Sequence, residues 1–241
     1  MNVLALALLG FSVAAAAPAQ TISTPAVKAG DTWTYRVTTE KGTSGWAQTR
    51  DEVTVSRVTS SLIYYTSKPS GSTLPAKELF AGLDWSRLRD VNGKETVVNR
   101  PLAFPLAAGK TWVVQYTEQH PNKTHKSEQW DSKFTVLGFE TVDVPAGKFN
   151  ALKVEAEGRW IAEIEPTQTV VQGAQSSAAG ASMATEIQRA RIEPVTGRIY
   201  EAFWYVPEIR RWVKSVEEYY GNGGVRTERF VGELESFRVG D

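Results

Sequence analysis

Residues 141–157 read TVDVPAGKFNALKVEAE, and the fold class follows from how this stretch turns. An alternating run reaches Val144, breaks at Pro145, Ala146 and Gly147, and leaves as a second alternating run in which Leu152, Val154 and Ala156 share a face. Proline presets φ for the first corner of a tight turn, and glycine takes a positive φ without steric cost. Two period-two runs joined by a few turn residues make a β-hairpin. An antiparallel sheet centred on this hairpin is therefore expected.

The same grammar runs outward in both directions. Strands are expected over 151–164, 186–192, 198–206, 211–220 and 225–239, with turns at 194–197, 207–210 and 221–224 (GNGG). Upstream, residues 27–40 set Trp33, Tyr35 and Val37 on one face and Thr34, Arg36 and Thr38 on the other. Residues 106–117 alternate in the same way through Trp112, Val114 and Tyr116. Both runs open on Ala-Gly-x-Thr-Trp, at 29–33 and 108–112; either a duplicated half or two good turn-to-strand entries accounts for the echo. Further strands are expected at 46–58, 62–67 and 129–139, and DVNGK at 90–94 is a hairpin turn. Residues 68–75 form a Pro/Gly/Ser loop, 76–88 a short helical turn, and 100–110, with two prolines, a crossing over the surface or along one edge. Residues 167–185, TQTVVQGAQSSAAGASMAT, are small and polar without period and read as a flexible loop. The fold expected from this pattern is all-β: a large, curved, mostly antiparallel sheet, forming a half-open barrel or a sandwich.

Residues 3–17, VLALALLGFSVAAAA, are one apolar run followed by Pro18, Ala19 and Gln20. Its length and the Ala17-Pro18-Ala19 site fit an export signal peptide over 1–19, leaving a single domain at 20–241. Met1 and Asn2 carry no positive charge ahead of it, which leaves room for a start upstream. The run is short for a membrane span, so a periplasmic or secreted protein that does not span the membrane is expected. Net charge is zero, from 27 basic and 27 acidic residues, which gives no footprint for nucleic acid or for an anionic membrane. Cysteine is absent, which excludes disulfides, thiolate metal sites, cysteine nucleophiles and a lipid anchor on cysteine.

Catalytic patterns are weak. His120 and His125 share the polar connector 118–128 with Glu118 and Glu128. Two imidazoles and a carboxylate can hold zinc, but a Pro/Asn/Lys loop lacks the oriented shell that metal ligands use. No metal or cofactor is expected. Residues 180–184, GASMA, lack the second glycine of a nucleophile elbow. Glu155 with Glu157, Glu163 with Glu165 and Glu233 with Glu235 stand at strand spacing; each pair is an acid–base couple or part of a solvated face. A hydrolase would need a cleft with two facing carboxylates, one of them buried.

The aromatic residues are more informative. Trp33, Trp112 and Tyr116 lie in early strands, and Trp160, Phe203, Trp204, Tyr205 and Trp212 in the C-terminal meander. Concave sheets lined by such residues bind acyl chains, hydrophobic peptides or sugar faces; the same side chains also cover a sheet that has few helices. The candidate ligand-binding residues are Trp112, Tyr116, Trp160, Trp204 and Trp212. Arg210, Arg211 and Lys214 beside Trp212 offer a place for an anionic head group or carboxylate, or form an ordinary polar edge.

Three stretches carry a resemblance: VDVPAGKFNALKVE at 142–155, Trp204-Tyr205-Val206-Pro207 and Arg211-Trp212-Val213-Lys214. They resemble exported bacterial proteins that carry the uncharacterised domain of unknown function 3108, or a close relative of it. In that group a V-P-A-G-x-[FY] turn leads into a strand ending in Lys-Val, and a W-Y-x-P turn precedes a strand with a valine beside a basic residue. The segment from Phe104-Pro105-Leu106 to Thr111-Trp112 is similar to the group's mid-chain segment. The likeness covers residues 103–239, and the 167–185 insertion departs from it. It implies a β-rich envelope protein without agreed activity or catalytic residues and, by analogy of fold alone, a sheet like the half-open barrels that chaperone lipoproteins. The function expected is a non-enzymatic periplasmic protein that binds a lipid, or a lipidated or hydrophobic segment, on its concave sheet. An envelope interaction or scaffold module that grips a partner protein is the second reading, and a cell-envelope hydrolase the third.

Overall fold

The computed structural model describes residues 21–165, 168–177, 180–189 and 193–240, with the backbone alone for the second and third stretches. The signal peptide expected over 1–19 lies outside the described residues. The strands are β1 (Thr32–Lys41), β2 (Trp46–Val58), β3 (Leu62–Pro69), β4 (Lys77–Gly82), β5 (Arg87–Val91), β6 (Lys94–Asn99), β7 (Thr111–Gln119), β8 (His125–Val144), β9 (Gly147–Ile164), β10 (Gln168–Ser177), β11 (Gly180–Arg189), β12 (Val195–Val206), β13 (Arg211–Tyr220) and β14 (Arg226–Arg238). Ten of them form one antiparallel sheet in the order β4-β3-β2-β1-β14-β13-β12-β9-β8-β7. The sheet is open, with β4 and β7 as its edges, so the all-β class holds and the barrel does not close. Among the described residues no helix is long and apolar enough to cross a membrane.

The opening hairpin forms as its turn chemistry demands. Val144 pairs with Gly147, so Pro145 and Ala146 make the loop, and Gly147 takes φ 129°. DVNGK also turns as expected, with Asn92 and Gly93 at φ 55° and 80°, the two positive values of a type I′ turn. The β8–β9 hairpin is not the centre of the sheet, however. It lies beside the β7 edge, and the middle is the β14–β13 pair, with the first strand, β1, joined to the last, β14, just beside it. Alternation is the same in every strand, so it carries no information about which distant strands pair.

Four further expectations are corrected. Residues 76–88 hold no helical turn: β4 pairs with β3, and the chain turns through Trp85 at φ 59° into β5. Most of 167–185 pairs as the β10–β11 hairpin, the whole of Gln168–Ser177 against Gly180–Arg189, where backbone bonding replaces the missing apolar period. The turn expected at 194–197 is not there, because β12 already begins at Val195. Residues 100–110 do not cross the surface, since Leu102, Ala103 and Leu106 are buried in the core.

The sheet curls strongly. β9 and β14 are separated by β12 and β13, which in a flat sheet keeps them about 14 Å apart. Yet the Ala146 N–H donates to the Leu234 carbonyl at 2.9 Å, and Phe149 meets Phe237 edge-on at 6.4 Å. Between edge β4 and edge β7 the chain crosses the concave side as a strap, residues 83–110. Trp85 packs edge-on against Trp33, Tyr65 and Trp212, and Phe104 against Tyr205. The strap is tied to the β7 edge: Asn92 donates to the Thr117 carbonyl and accepts from the Gln119 N–H, both at 2.8 Å.

The Ala-Gly-x-Thr-Trp echo has one structure in both places. Gly30 and Gly109 take φ 90° and 82°, and their N–H groups donate to the carbonyls of Val55 and Val136 at 2.9 and 2.8 Å. The Val55 and Val136 N–H groups answer to the carbonyls of Asp31 and Lys110, both at 2.9 Å. The variable residue is put to different use. Asp31, fully buried, accepts from Arg210 Nη1 at 3.0 Å and from the N–H groups of Lys28 and Gly240. Lys110 reaches the carbonyls of Ala103 and Pro105 in the strap.

Candidate functional site

Residues paired across antiparallel strands share a face, so the register reads out the concave surface row by row. One row runs Tyr116, Trp130, Trp160, Gly197; the next Val114, Ser132, Gly158, Ile199, Tyr219. A third runs Trp112, Phe134, Ala156, Glu201, Glu217, Phe230, and a fourth Val136, Val154, Phe203, Ser215, Gly232, Val37. Trp112 stacks on Phe134 at 5.3 Å and Tyr116 on Trp130 at 6.0 Å, while Trp130 leans on Trp160 at 6.3 Å. A Cβ added to Gly197 would run into the Trp160 indole, which lies across the glycine backbone. Small residues interrupt these aromatic rows at Ser132, Gly158, Ser215 and Gly232, and the face is left hollow there.

Two hollows lie under the strap. The first, about 350 Å³, has a ceiling of Arg87, Arg89, Val98 and Asn99 and a floor that includes Tyr116, Trp130, Ser132, Ile199, Glu201 and Tyr219. Its chemistry is set by Glu201, only 6% exposed. Asn99 donates to Glu201 Oε1 at 2.8 Å, and Oε2 has no partner. Glu217 stands directly across on β13. Burial, then the nearby Glu217 charge, push the Glu201 carboxyl up to about 8, against the opposing pull of Arg87 and the Asn99 hydrogen bond. The carboxyl is thus held neutral in an aromatic-walled hollow. Burial likewise raises the hydroxyls of Tyr116 and Tyr219 on the same walls.

The second hollow, about 410 Å³, adjoins the first and shares Arg87 and Tyr219 with it. Its walls come from β1, β2, β3, β13 and β14 and include Tyr35, Asp51, Val53, Ser67, Arg211, Trp212 and Ser215. Arg211 is buried, its guanidinium carbon 3.9 Å from the centre of Trp85, 4.4 Å from Trp212 and 5.4 Å from Trp33. Tyr35 donates to the Trp212 carbonyl at 2.6 Å, and burial pushes its hydroxyl up to about 12, with Arg211 opposing. Burial also raises the Asp51 carboxyl, opposed by a Thr49 hydrogen bond.

Of the five candidate residues, Trp112, Tyr116 and Trp160 come together on the concave face, with Tyr116 lining the first hollow, and Trp212 lines the second. Trp204 does not join them. It pairs with Lys153 and Lys214, lies on the convex face, and donates its indole N–H to Glu140. Strand alternation requires this, since Phe203 and Tyr205 both point inward. The carboxylate pairs along single strands belong to an ion-paired outer face: Glu155 with Lys153, Glu163 with Lys126, Glu233 with Arg36, Glu235 with Arg50. In the connector, His125 pairs with Glu128 and His120 with Glu165 at 3.0 Å. Among the described residues no group of three or more His, Cys, Asp or Glu converges as metal ligands do. Glu201 and Trp130 were missed by sequence reasoning. The signal for Glu201 was present: it sits between Ile199 and Phe203 at period two, an acid on an apolar face.

No family model matches the chain, and no curated protein matches it. Among solved structures, a Bacteroides fragilis protein described as exported and YmcC-like in fold is similar at 17% identity and a TM-score of 0.38. A Parabacteroides distasonis protein described as a lipoprotein is similar at 15% identity and a TM-score of 0.44. Each match covers 91% of this chain and 100% of the other. At these scores neither carries an argument, and the fold assignment rests on the strands themselves.

Proposed function

We propose that this chain is a non-enzymatic, exported envelope protein that holds an amphipathic ligand between its concave sheet and the strap. The observation that carries the reading is the pair of adjoining hollows left beneath the strap, about 350 and 410 Å³. Each is of the size that small-molecule sites occupy, walled by aromatic rings with a few placed polar groups. A sheet stabilised by packing alone gains from filling such space, and each unfilled methyl-sized volume costs about 1 kcal/mol. Keeping serine and glycine on the floor therefore favours a bound occupant over a purely structural interior. Export rests on the sequence pattern of residues 1–19, and the resemblance to the domain of unknown function 3108 group agrees with that placement without adding a residue role.

Native mass spectrometry on protein isolated from its own cells without detergent tests the reading. An added mass of amphiphile size that solvent extraction removes is expected. A bare mass, together with failure of added acyl-chain compounds to bind, would overturn it.

One observation favours a second reading, a hydrolase of envelope polymers: Glu201 and Glu217 face each other across two strands, and Glu201 is buried with its carboxyl raised. Release of soluble fragments from purified cell-wall polymers, abolished in both Glu201→Gln and Glu217→Gln, is the result that would favour it over binding alone.

A further inference from the structure

Three cations flank Trp212, and their surroundings separate them. Arg210 is an ion-pair partner of buried Asp31, with Nη1 3.0 Å from the carboxylate, and donates through Nη2 to the Gly240 carbonyl. Lys214 faces Glu233 on the convex side at 3.5 Å. Arg211 has neither arrangement. It is 7% exposed, its Nε and Nη1 have no hydrogen-bond partner, and no carboxylate of the described residues lies within ion-pair distance of it. What surrounds it is aromatic, Trp85, Trp212, Trp33 and Tyr35, with the Tyr35 hydroxyl the one polar side-chain group among the described residues acting on the guanidinium.

We infer that Arg211 is the seat of an anionic head group, a carboxylate or phosphate, entering from the hollow of about 410 Å³. This rests on the amphiphile reading above and names the polar end of that ligand. Withdrawing a guanidinium from water is costly unless an opposite charge or strong hydrogen bonds replace the water. Ring faces replace only part of it, through cation–π attraction. They also hold the planar group still, which prepares it to receive an anion oxygen. Ser67 and Ser215 add hydroxyls to the same wall. The remaining cation of that wall, Arg87, acts on Glu201 and Tyr219 toward the other hollow. The two acids of the wall, Asp51 and Glu217, form no ion pair with Arg211, and burial holds Asp51 above its usual range. A charged head on Arg211 would leave the chain of the ligand to run toward Tyr219 and the first hollow.

The test is calorimetric titration of the mature protein with dodecanoate, dodecyl phosphate, dodecanol, dodecyltrimethylammonium and inorganic phosphate, each below its micelle concentration. The two anionic chains should bind about tenfold or more tightly than dodecanol, as a charge-assisted hydrogen bond predicts, and the ammonium compound more weakly still. Arg211→Gln should bring the anions within about twofold of dodecanol, and Arg211→Lys should retain a reduced preference. Near-ultraviolet circular dichroism checks that both variants fold; if the glutamine variant does not, the wild-type series decides alone. Equal affinity for anions and dodecanol would overturn the inference and leave the amphiphile reading standing. Inorganic phosphate binding as tightly as dodecyl phosphate, with loss in Arg211→Gln, would keep the anion seat but overturn the amphiphile. Binding of none of the five would overturn both.

Discussion

Replacing Glu201 by glutamine should make the protein more stable at alkaline pH, an unusual direction for removing an acid. In the folded state the Glu201 carboxyl titrates near 8, raised first by burial and then by Glu217; in the unfolded chain it titrates near its ordinary 4.5. Between these values the folded protein binds one proton more than the unfolded, so stability is full below pH 4.5 and falls as pH rises toward 8. At about 1.36 kcal/mol per unit, the ceiling on the loss is on the order of 5 kcal/mol, and sharing of the proton with Glu217 lowers it. Glutamine has the same shape, keeps an acceptor for Asn99 and does not ionise. The variant should match the wild type within about 1 kcal/mol at pH 5 and exceed it by about 2–4 kcal/mol at pH 8.5. For a chain of this size that is roughly 5–15 °C in Tm. Urea unfolding from pH 4.5 to 9 reads both curves, and Glu217→Gln should flatten the wild-type slope. Parallel curves for wild type and Glu201→Gln would refute the reasoning, because they would mean that Glu201 is ionised and satisfied by Arg87 in the folded protein.

Other perturbations follow from the same geometry. Asp31→Asn leaves Arg210, held in the left-handed region at φ 63°, without its counter-charge, and should cost about 3–5 kcal/mol in urea unfolding. Trp204→Ala, on the convex face, should cost about 1–2 kcal/mol and leave amphiphile affinity unchanged, whereas Trp212→Ala should cost about 3–5 kcal/mol and weaken binding in a tryptophan-fluorescence titration. Ser215→Phe places a ring in the second hollow, so the chain should fold with an unchanged far-ultraviolet spectrum and bind dodecanoate at least about tenfold more weakly.

Local chemistry was legible, and long-range pairing was not. The Pro145-Ala146 and Asn92-Gly93 turns were readable because backbone preference at two residues decides them. The union of β1 with β14 was not, since Trp33, Tyr35 and Val37 alternate as any strand does. The helical turn expected over 76–88 gives way to β4, which is held by its ladder to β3, a distant pairing that the local sequence does not reveal. The prolines at 101 and 105 correctly argued against a strand, but Leu102 and Leu106 sit at the heart of the core, where a strap with satisfied carbonyls can pass. Of the site, the aromatic excess was visible and its division between faces was implicit in alternation, with Trp204 outward between Phe203 and Tyr205. Glu201 was legible as an acid between Ile199 and Phe203, but its pairing with Glu217 was not, because that pair forms across two strands.

The most direct test is where a ligand sits. Crystals grown with a dodecanoate brominated at its far end give an anomalous signal that marks the chain. The account predicts a bromine peak on the concave side near Tyr116 and Tyr219, with carboxylate density against Arg211. A peak confined to the convex face beside Trp204, or both hollows filled by protein side chains at saturating ligand, would contradict it.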